Sequence, residues 1–294
     1  MGAGAAFVTG GSGFVGQHLL AELGDQAVAP PRSELDLLNA DAVRHALAGA
    51  RPECVFHLAA HASVAQSWRE PAEVMRDNLT MTVNVLEAMR HEAPDAVAVV
   101  MSSGEIYGPP ARLPVEESAP LRPQNPYAVS KAACDLLAGQ YADAHGLGVI
   151  RMRAFNQAGP GQSDSYVVGT VTRQVAEAEA AGGGVVRTGN PELARDYTDV
   201  RDTVRAYVAA VDLPADAYNV CSGRSATVRE IIEHARRATK VEIRHEVDPA
   251  RVRAHDVAEV RGSPQRLADA SGWSPAIPLE QTVADALDYW RARL

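Results

Sequence analysis

The first 150 residues alternate short apolar runs with stretches whose apolar residues recur at helical spacing. AAFVTG (5–10) is an apolar run that ends in glycine, and behind it Phe14, Val15, Leu19, Leu20 and Leu23 repeat at the period of a helix. QAVAP (26–30) predicts a weak second strand and 40–49 a helix. ECVFHLAA (53–60) predicts a third strand, apolar on both faces as a buried parallel strand must be. Residues 71–92 predict a long helix, with Pro71 in its first turn and Met75, Leu79, Val83, Leu86 and Met89 on one face. DAVAVVMSS (95–103) is the clearest strand of all; 127–145 reads as a helix and LGVIRMRAF (147–155) as a fifth strand. Strands alternating with helices mean parallel βαβ units. The predicted class is α/β, a Rossmann-type doubly wound parallel sheet with a smaller C-terminal lobe for substrate.

After about residue 155 the pattern changes. Gly and Pro cluster in NQAGPGQSD (156–164). Helices predicted at about 166–181, 201–212 and 227–238 are separated by short strands near 184–187, 217–221 and 241–246. A last amphipathic helix carries Leu279, Val283, Leu287 and Trp290. We expect a nucleotide-binding domain over 1–155 and a second lobe over 156–294, interleaved with it, with 201–221 returning to the sheet. No repeat or low-complexity tract interrupts either half.

The composition is that of an ordinary folded chain: 294 residues, 46% hydrophobic and 22% charged. A net charge of −9 argues against a nucleic-acid partner, because a polyanion needs a broad basic face. Three isolated cysteines, Cys54, Cys134 and Cys221, suit a reducing compartment and predict no metal site. No apolar run is long enough to span a membrane and the N-terminus carries no basic leader, so a cytoplasmic protein is expected. Only two of the 28 basic residues are lysines, Lys131 and Lys240. A lysine inside a motif is therefore informative.

TGGSGFVG (9–16) places Gly10, Gly13 and Gly16 between the first strand and the first helix. Such a loop lets backbone approach a pyrophosphate and turns helix N–H groups, including those of Phe14 and Val15, toward the anion. After the second strand an acid would hold a ribose 2′-hydroxyl, whereas an arginine suits a 2′-phosphate. The chain reads APPRSELDL (29–37), with Arg32 and no acid at the strand end. That favours NADP(H) over NAD(H), NAD(H) being the alternative if Arg32 is only a solvated loop charge. Asp36 and Leu37 are placed to meet the adenine, and Leu58, Ala59 and Ala60 to line the cofactor beyond the third strand.

NPYAVSK puts Tyr127 and Lys131 four apart at the start of a helix, on one face. A tyrosine that works as acid or base near neutrality needs its pKa lowered from about 10 by about three units, or about 4 kcal/mol. An adjacent ammonium and the charge of an oxidised nicotinamide act in that direction. SSGEIYG (102–108) leaves the carboxyl end of the fourth strand, where doubly wound sheets bind ligands. Ser103 is the candidate to hydrogen-bond a substrate carbonyl, and Ser102 the candidate to cap the strand end.

Taken together, TGGSGFVG, HLAA (57–60), SSGEIYG, PYAVSK and RDYTDVRD (195–202) resemble the extended short-chain dehydrogenase/reductases that act on nucleotide sugars. HLAAHASVAQSW (57–68), FNQAGPGQ (155–162), YNVCSG (218–223) and VDPARVRAHDV (247–257) are most similar to the branch of GDP-mannose 4,6-dehydratases and GDP-4-keto-6-deoxy-D-mannose reductases. The resemblance covers nearly the whole chain and implies a catalytic triad of Ser103, Tyr127 and Lys131. It implies that Asn78 positions cofactor or substrate, that Asn156 meets the diphosphate and that Arg195 holds a diphosphate or ribose oxygen. It places Arg253 and Asp256 in a late nucleotide-contact region. Ser63, Glu105 and Arg173 complete the substrate-binding candidates. A homodimer through helices 71–92 and 127–145 is also implied; Met75, Val83 and Leu86 would otherwise be ordinary core.

In sugar dehydratases of this family the residues after the catalytic Ser or Thr supply the acid and base that remove water. Here those positions are Gly104 and Glu105. Glycine has no acid to offer, which favours hydride transfer to a 4-keto group. The expected reaction is reduction of GDP-4-keto-6-deoxy-D-mannose to GDP-D-rhamnose. The alternatives are a 4,6-dehydratase using Glu105, a 4-epimerase with bound NAD(P), and a non-catalytic NADP-sensing module.

Overall fold

Four small or apolar residues in a row, Ala6–Thr9, are buried on both faces and form β1, next to the edge of the main sheet. The computed structural model describes residues 6–252 and 257–294. From β1 the chain runs through α1 (Phe14–Leu23) to β2 (Ala27–Val28) at the sheet edge, then back through α2 (Ala40–Ala50) to β3 (Cys54–His57) on the other side of β1. Three elements follow in order: α3 (Val64–Arg69), α4 (Pro71–Glu92) and β4 (Val97–Ser103). The helix α5 (Pro126–His145) leads into β5 (Gly148–Ala154). The sheet has the order β2-β1-β3-β4-β5 and is closed by β9 (Ala217–Val220), with every pairing parallel. The reversal between β1 and β3 opens a crevice at their carboxyl ends.

Alternation along the strands explains the two layers of helices. Val97, Val99 and Met101 of β4 face one core, with Leu19 of α1 and Val204 and Tyr207 of α7 (Val200–Ala210). Ala98 and Val100 face the other, with Val43 and Leu47 of α2, Leu86 and Met89 of α4 and Ala138 of α5. Leu86 is thus core. The uncovered apolar side chains near α4 and α5 are Trp68, Val129 and Leu136, at 63%, 39% and 60% exposure.

Beyond β5 the chain forms β6 (Asn156–Ala158), α6 (Val167–Ala180), β7 (Gly184–Thr188) and β8 (Ala194–Asp199). After β9 come β10 (Ser225–Thr227), α8 (Val228–Arg237), β11 (Ile243–Val247), β12 (Glu259–Val260), α9 (Gln265–Ser271) and α10 (Leu279–Arg291). A third core gathers Val171 and Val175, Ile231 and Ile232, and Val283 and Leu287 from α6, α8 and α10. The strand β8 pairs with β6, β10 and β12, and β7 pairs with β11. Hydrophobic periodicity misses β6, β8, β10 and β12 because they are short or, like ARDYTD, dominated by polar residues that face other loops. Among the described residues no helix is long and apolar enough to cross a membrane.

One buried ion pair ties α5 to the sheet. Arg153 on β5 donates to both carboxylate oxygens of Asp135, at 2.9 and 2.7 Å, and Asp135 is fully buried. The same guanidinium donates to Tyr107 Oη and to the Glu117 carbonyl, each at 3.0 Å, and Tyr107 Oη donates to Asn219 at 2.7 Å. Every polar end is met, as a buried pair requires. Arg153→Leu is expected to lower the urea-unfolding free energy by about 3 kcal/mol, because it strands the Asp135 charge. The expectation lies at the low end because Arg151 Nη1 stays 3.6 Å from the carboxylate.

Candidate active site

The turn after β1 is packed so closely that it must be glycine. Gly10 has φ +75°, and a Cβ there would lie 2.7 Å from the Ala59 nitrogen. A Cβ on Gly16 would lie 2.2 Å from the Gly10 carbonyl oxygen. Gly13 precedes α1 in extended backbone, is exposed and leaves the first N–H groups of the helix uncovered by any side chain. Phe14 stacks edge-on against His18, and Val15 packs on the core beneath. Arg32 is exposed in the turn beyond β2 and has no acidic partner among the described residues. Asp36 is exposed and accepts from the Leu38 N–H at 3.0 Å. Leu37 is half-buried and its carbonyl accepts from Asn84 at 2.8 Å. The glycine turn therefore fits a dinucleotide diphosphate, and Arg32 is free for a further phosphate.

β3 ends at His57, and Leu58, Ala59 and Ala60 form a half-buried turn facing the glycine turn. His57 is buried between Thr9 Oγ1, 2.8 Å from Nδ1, and Thr82 Oγ1, 3.2 Å from Nε2. Asn78 is buried on α4 and accepts from the His61 N–H at 2.7 Å. It donates to the His61 carbonyl at 3.2 Å and to Ser130 Oγ at 2.9 Å. Its amide thus clamps the loop after β3 to the first turns of α5. Ser63 caps α3, accepting from the Gln66 N–H at 3.1 Å. Nearby, ligand atoms of His61, Glu73 and Asp77 lie within 4.8 Å of one another, but Arg76 already engages Asp77 at 2.8 Å.

The start of α5 is set by Asn125, which accepts from the Ala128 N–H at 2.8 Å, and by Pro126 behind it. This places Tyr127 and Lys131 on successive turns beside the end of β4. Tyr127 is half-buried, with the Ser103 hydroxyl near enough to act on its phenol. Burial pushes its phenol above the ordinary value, and the Ser103 hydroxyl pulls it back only in part. The phenol is neutral in the chain by itself. Lys131 is buried and donates to the Met101 carbonyl; burial lowers its ammonium pKa, against the pull of Cys134 and Asp135.

The cap expected of Ser102 falls to Ser103. Ser103 accepts from the Glu105 N–H at 3.2 Å and caps the tight turn 104–107, so the catalytic candidate is also the cap. Ser102 Oγ is buried without a hydrogen-bond partner among the described residues. Glu105 is exposed and accepts from Asn125 Nδ2 at 3.3 Å. Gly104 is buried against Phe155, whose ring carbons would lie 3.0–3.1 Å from any added Cβ.

On the substrate side, Asn156 is exposed at the start of β6, opposite Tyr197 of β8. Arg195 is half-buried, with Nη1 donating to the Ala194 and Val257 carbonyls, each at 2.8 Å. Its neighbour Asp196, fully buried, accepts from the N–H groups of Ser222, Gly223 and Gly262 and from the Ser222 hydroxyl. Burial pushes that carboxyl up to about 6 against these donors. Arg173 is engaged elsewhere: it pairs with Asp164 and Glu177 and lies 5.7 Å from the centre of the Trp290 ring. Arg253 and Asp256 lie outside the described residues.

A family model described as GDP-mannose 4,6 dehydratase matches residues 32–286. The chain belongs to the GDP-mannose 4,6-dehydratase family of extended short-chain dehydrogenase/reductases. This family membership makes it an enzyme. Among curated relatives, the GDP-6-deoxy-D-mannose reductase of Pseudomonas aeruginosa is 37% identical over 98% of this chain and 97% of that protein. The UDP-glucose 4-epimerase of Streptomyces lividans is 31% identical over 97% and 96%. Among solved structures, that of RMD from Pseudomonas aeruginosa complexed with NADPH superposes with a TM-score of 0.92, at 36% identity, covering 99% of this chain and 100% of that one.

Two residues of this family member escaped the sequence reading. His57 stands in the sequence only inside the motif HLAA; its own signal is a histidine closing the buried strand Cys54–His57. Asp196 was passed over in RDYTD for the arginine before it. Burial, with Lys131 adding to it, pushes His57 down to about 3. Between an imidazole's ordinary 6.5 and that value the unfolded chain takes up a proton that the folded chain refuses, so stability is full above 6.5 and falls as pH drops. The residue contributes a slope of about 1.4 kcal/mol per pH unit. Urea unfolding between pH 6.5 and 5 is expected to show a shallower loss for His57→Asn than for the wild type; equal slopes would contradict the assignment.

Proposed function

We propose that the chain is an NADPH-dependent reductase of a nucleotide-linked 4-keto-6-deoxy sugar, converting GDP-4-keto-6-deoxy-D-mannose to GDP-D-rhamnose. The observation that carries this reading is the Ser103–Tyr127 pair beside Gly104. It sets a hydroxyl that can bind a carbonyl near a neutral phenol, next to a glycine that offers no acid and is packed tightly against Phe155. A neutral phenol is the form that donates a proton, as reduction requires. The preference for a GDP sugar rests on the Pseudomonas reductase relative. The preference for NADPH rests on the free Arg32 and the NADPH complex of the similar structure, with NAD(H) the alternative.

In this reading residues 1–155 hold the coenzyme and 156–294 supply most nucleotide-sugar contacts, Asn156 and Arg195 among them. The glycine turn takes the diphosphate, and Leu58, Ala59, Ala60 and Asn78 set the wall beyond β3. NADPH, when bound, supplies a hydride to C4 of the sugar. Ser103 donates a hydrogen bond to the C4 carbonyl oxygen. Tyr127 gives its proton to that oxygen as the carbonyl becomes an alcohol. Lys131, fixed on the same helix face, favours the negative charge left on the phenol until solvent returns the proton. We also propose a homodimer contact on α4 and α5, beside which Trp68 of α3 and Val129 and Leu136 of α5 are uncovered.

The same triad and the epimerase relative favour one other reading, a 4-epimerase with tightly held NAD. The test is oxidation of NADPH, and separately of NADH, with GDP-4-keto-6-deoxy-D-mannose made in situ by a dehydratase. Oxidation needing both sugar and enzyme is expected. Conversion of a UDP- or GDP-hexose without added reductant, and no such oxidation, would replace the reading with the epimerase. Tyr127→Phe should lower the reductase rate about 100-fold by removing the acid. Arg32→Ala should raise KM for NADPH about tenfold, through loss of a charged hydrogen bond, and leave KM for NADH unchanged.

A further inference from the structure

His57 sits where a coenzyme-binding crevice has no obvious use for a histidine. It is buried, bonded on both ring nitrogens, and makes no contact that the proposed reaction requires. One direction runs consistently through the hydrogen bonds around it, and it is set at Thr82, whose hydroxyl proton goes to the Asn78 carbonyl at 2.9 Å or to Cys134 Sγ at 3.3 Å and leaves the oxygen to accept from the ring. The Ala59 N–H donates to Thr9 Oγ1 at 3.4 Å, a long bond that uses the oxygen as acceptor. The Thr9 hydroxyl keeps its own proton to point at His57 Nδ1, 2.8 Å away, and with Nε2 as the ring's donor Nδ1 is the acceptor. A neutral ring that accepts at Nδ1 carries its proton on Nε2, which donates to Thr82 Oγ1 at 3.2 Å. Thr82 in turn donates to the Asn78 carbonyl at 2.9 Å. The row starts at the turn that packs against Gly10 and ends at the residue whose amide clamps the 61–63 loop to α5.

We propose that His57, as the neutral Nε2–H tautomer, is the positioning residue for coenzyme in this enzyme: it sets the spacing between the Gly10 and Ala59 turns through Thr9, and ties that pair of turns to α4 through Thr82. It touches neither the reacting atoms nor the coenzyme, and acts through Thr9 and Ala59. The geometry leaves little slack. A Cβ on Gly10 would already be 2.7 Å from the Ala59 nitrogen, so the two turns are in contact and any drift of one moves the other. The ring is buried, so losing the bridge leaves the Thr9 hydroxyl proton without its acceptor, while Thr82 keeps its bond to the Asn78 carbonyl.

The consequences for binding rest on the coenzyme reading above; the tautomer does not. The first measurement is the two-bond ¹H–¹⁵N correlation of the histidine rings in the full-length chain without coenzyme, with His57 assigned by its absence in His57→Asn. The expected pattern is a neutral Nε2–H ring that does not titrate between pH 5 and 8. An Nδ1–H ring, or one that protonates in that range, overturns the proposal. The second measurement is NADPH and NADH affinity by fluorescence titration, together with KM and kcat. His57→Phe is expected to weaken coenzyme binding about tenfold, with kcat at saturation within about twofold of wild type. His57→Asn puts an acceptor in the place of Nδ1 and keeps the Thr9 bond, so it should recover most of the affinity. His57→Gln reaches Thr82 instead and should not. Thr9→Val should weaken binding to the same extent as His57→Phe, and the double variant no further. Unchanged affinity in both His57→Phe and Thr9→Val, or a loss confined to kcat, overturns the positioning role. If the wild type binds neither coenzyme, the functional reading fails, and with it the coenzyme half of this proposal.

Discussion

Two backbone turns in contact, at Gly10 and at Ala59, are the constraint on which the rest of the molecule depends. The sheet reverses its strand order between β1 and β3, so these turns lie side by side at the carboxyl ends of adjacent parallel strands. Their approach leaves no room for a Cβ at Gly10, and Gly16 is excluded from any larger residue by the same turn. That closeness turns the N-terminus of α1 into the crevice. It also brings the loop after β3, and through Asn78 the first turns of α5, to the same place. Ser103, Tyr127 and Lys131 are therefore positioned by backbone contacts well outside their own segments.

Two buried carboxylates have their partners built in. Asp135 is closed off by Arg153, and Asp196 by three backbone N–H groups and a serine. The first holds α5 to β5; the second gathers β8, the segment after β9 and the segment after β12 into one surface beside Arg195. Lys131 has only a carbonyl for a partner. Burial lowers its pKa against the pull of Cys134 and Asp135, one helical turn from Tyr127.

Much of this was legible in the residues. The five strands of the first half, the helices 71–92 and 127–145 and the glycine turn all follow from apolar runs and from Gly and Pro punctuation, because a buried parallel strand has no choice but to be apolar. Tyr127 and Lys131 were visible because one helix carries both. The second half was less legible for the opposite reason. ARDYTD forms β8 through pairing with three short strands, and its polar side chains serve distant loops, so no local period marks it. The capping role of Ser103 and the orphan hydroxyl of Ser102 depend on the tight turn at Gly104–Tyr107, which no spacing predicts. His57 was invisible as an individual because its partners, Thr9 and Thr82, are 48 and 25 positions away.

The scarcity of lysine has a practical side. Of the two lysine side chains, Lys131 is buried at 6% exposure and hydrogen-bonded, whereas Lys240 is exposed just after α8. Amine-directed chemistry therefore meets one accessible lysine side chain. A dye, a crosslinker or a solid support coupled through lysine would attach at a single defined point.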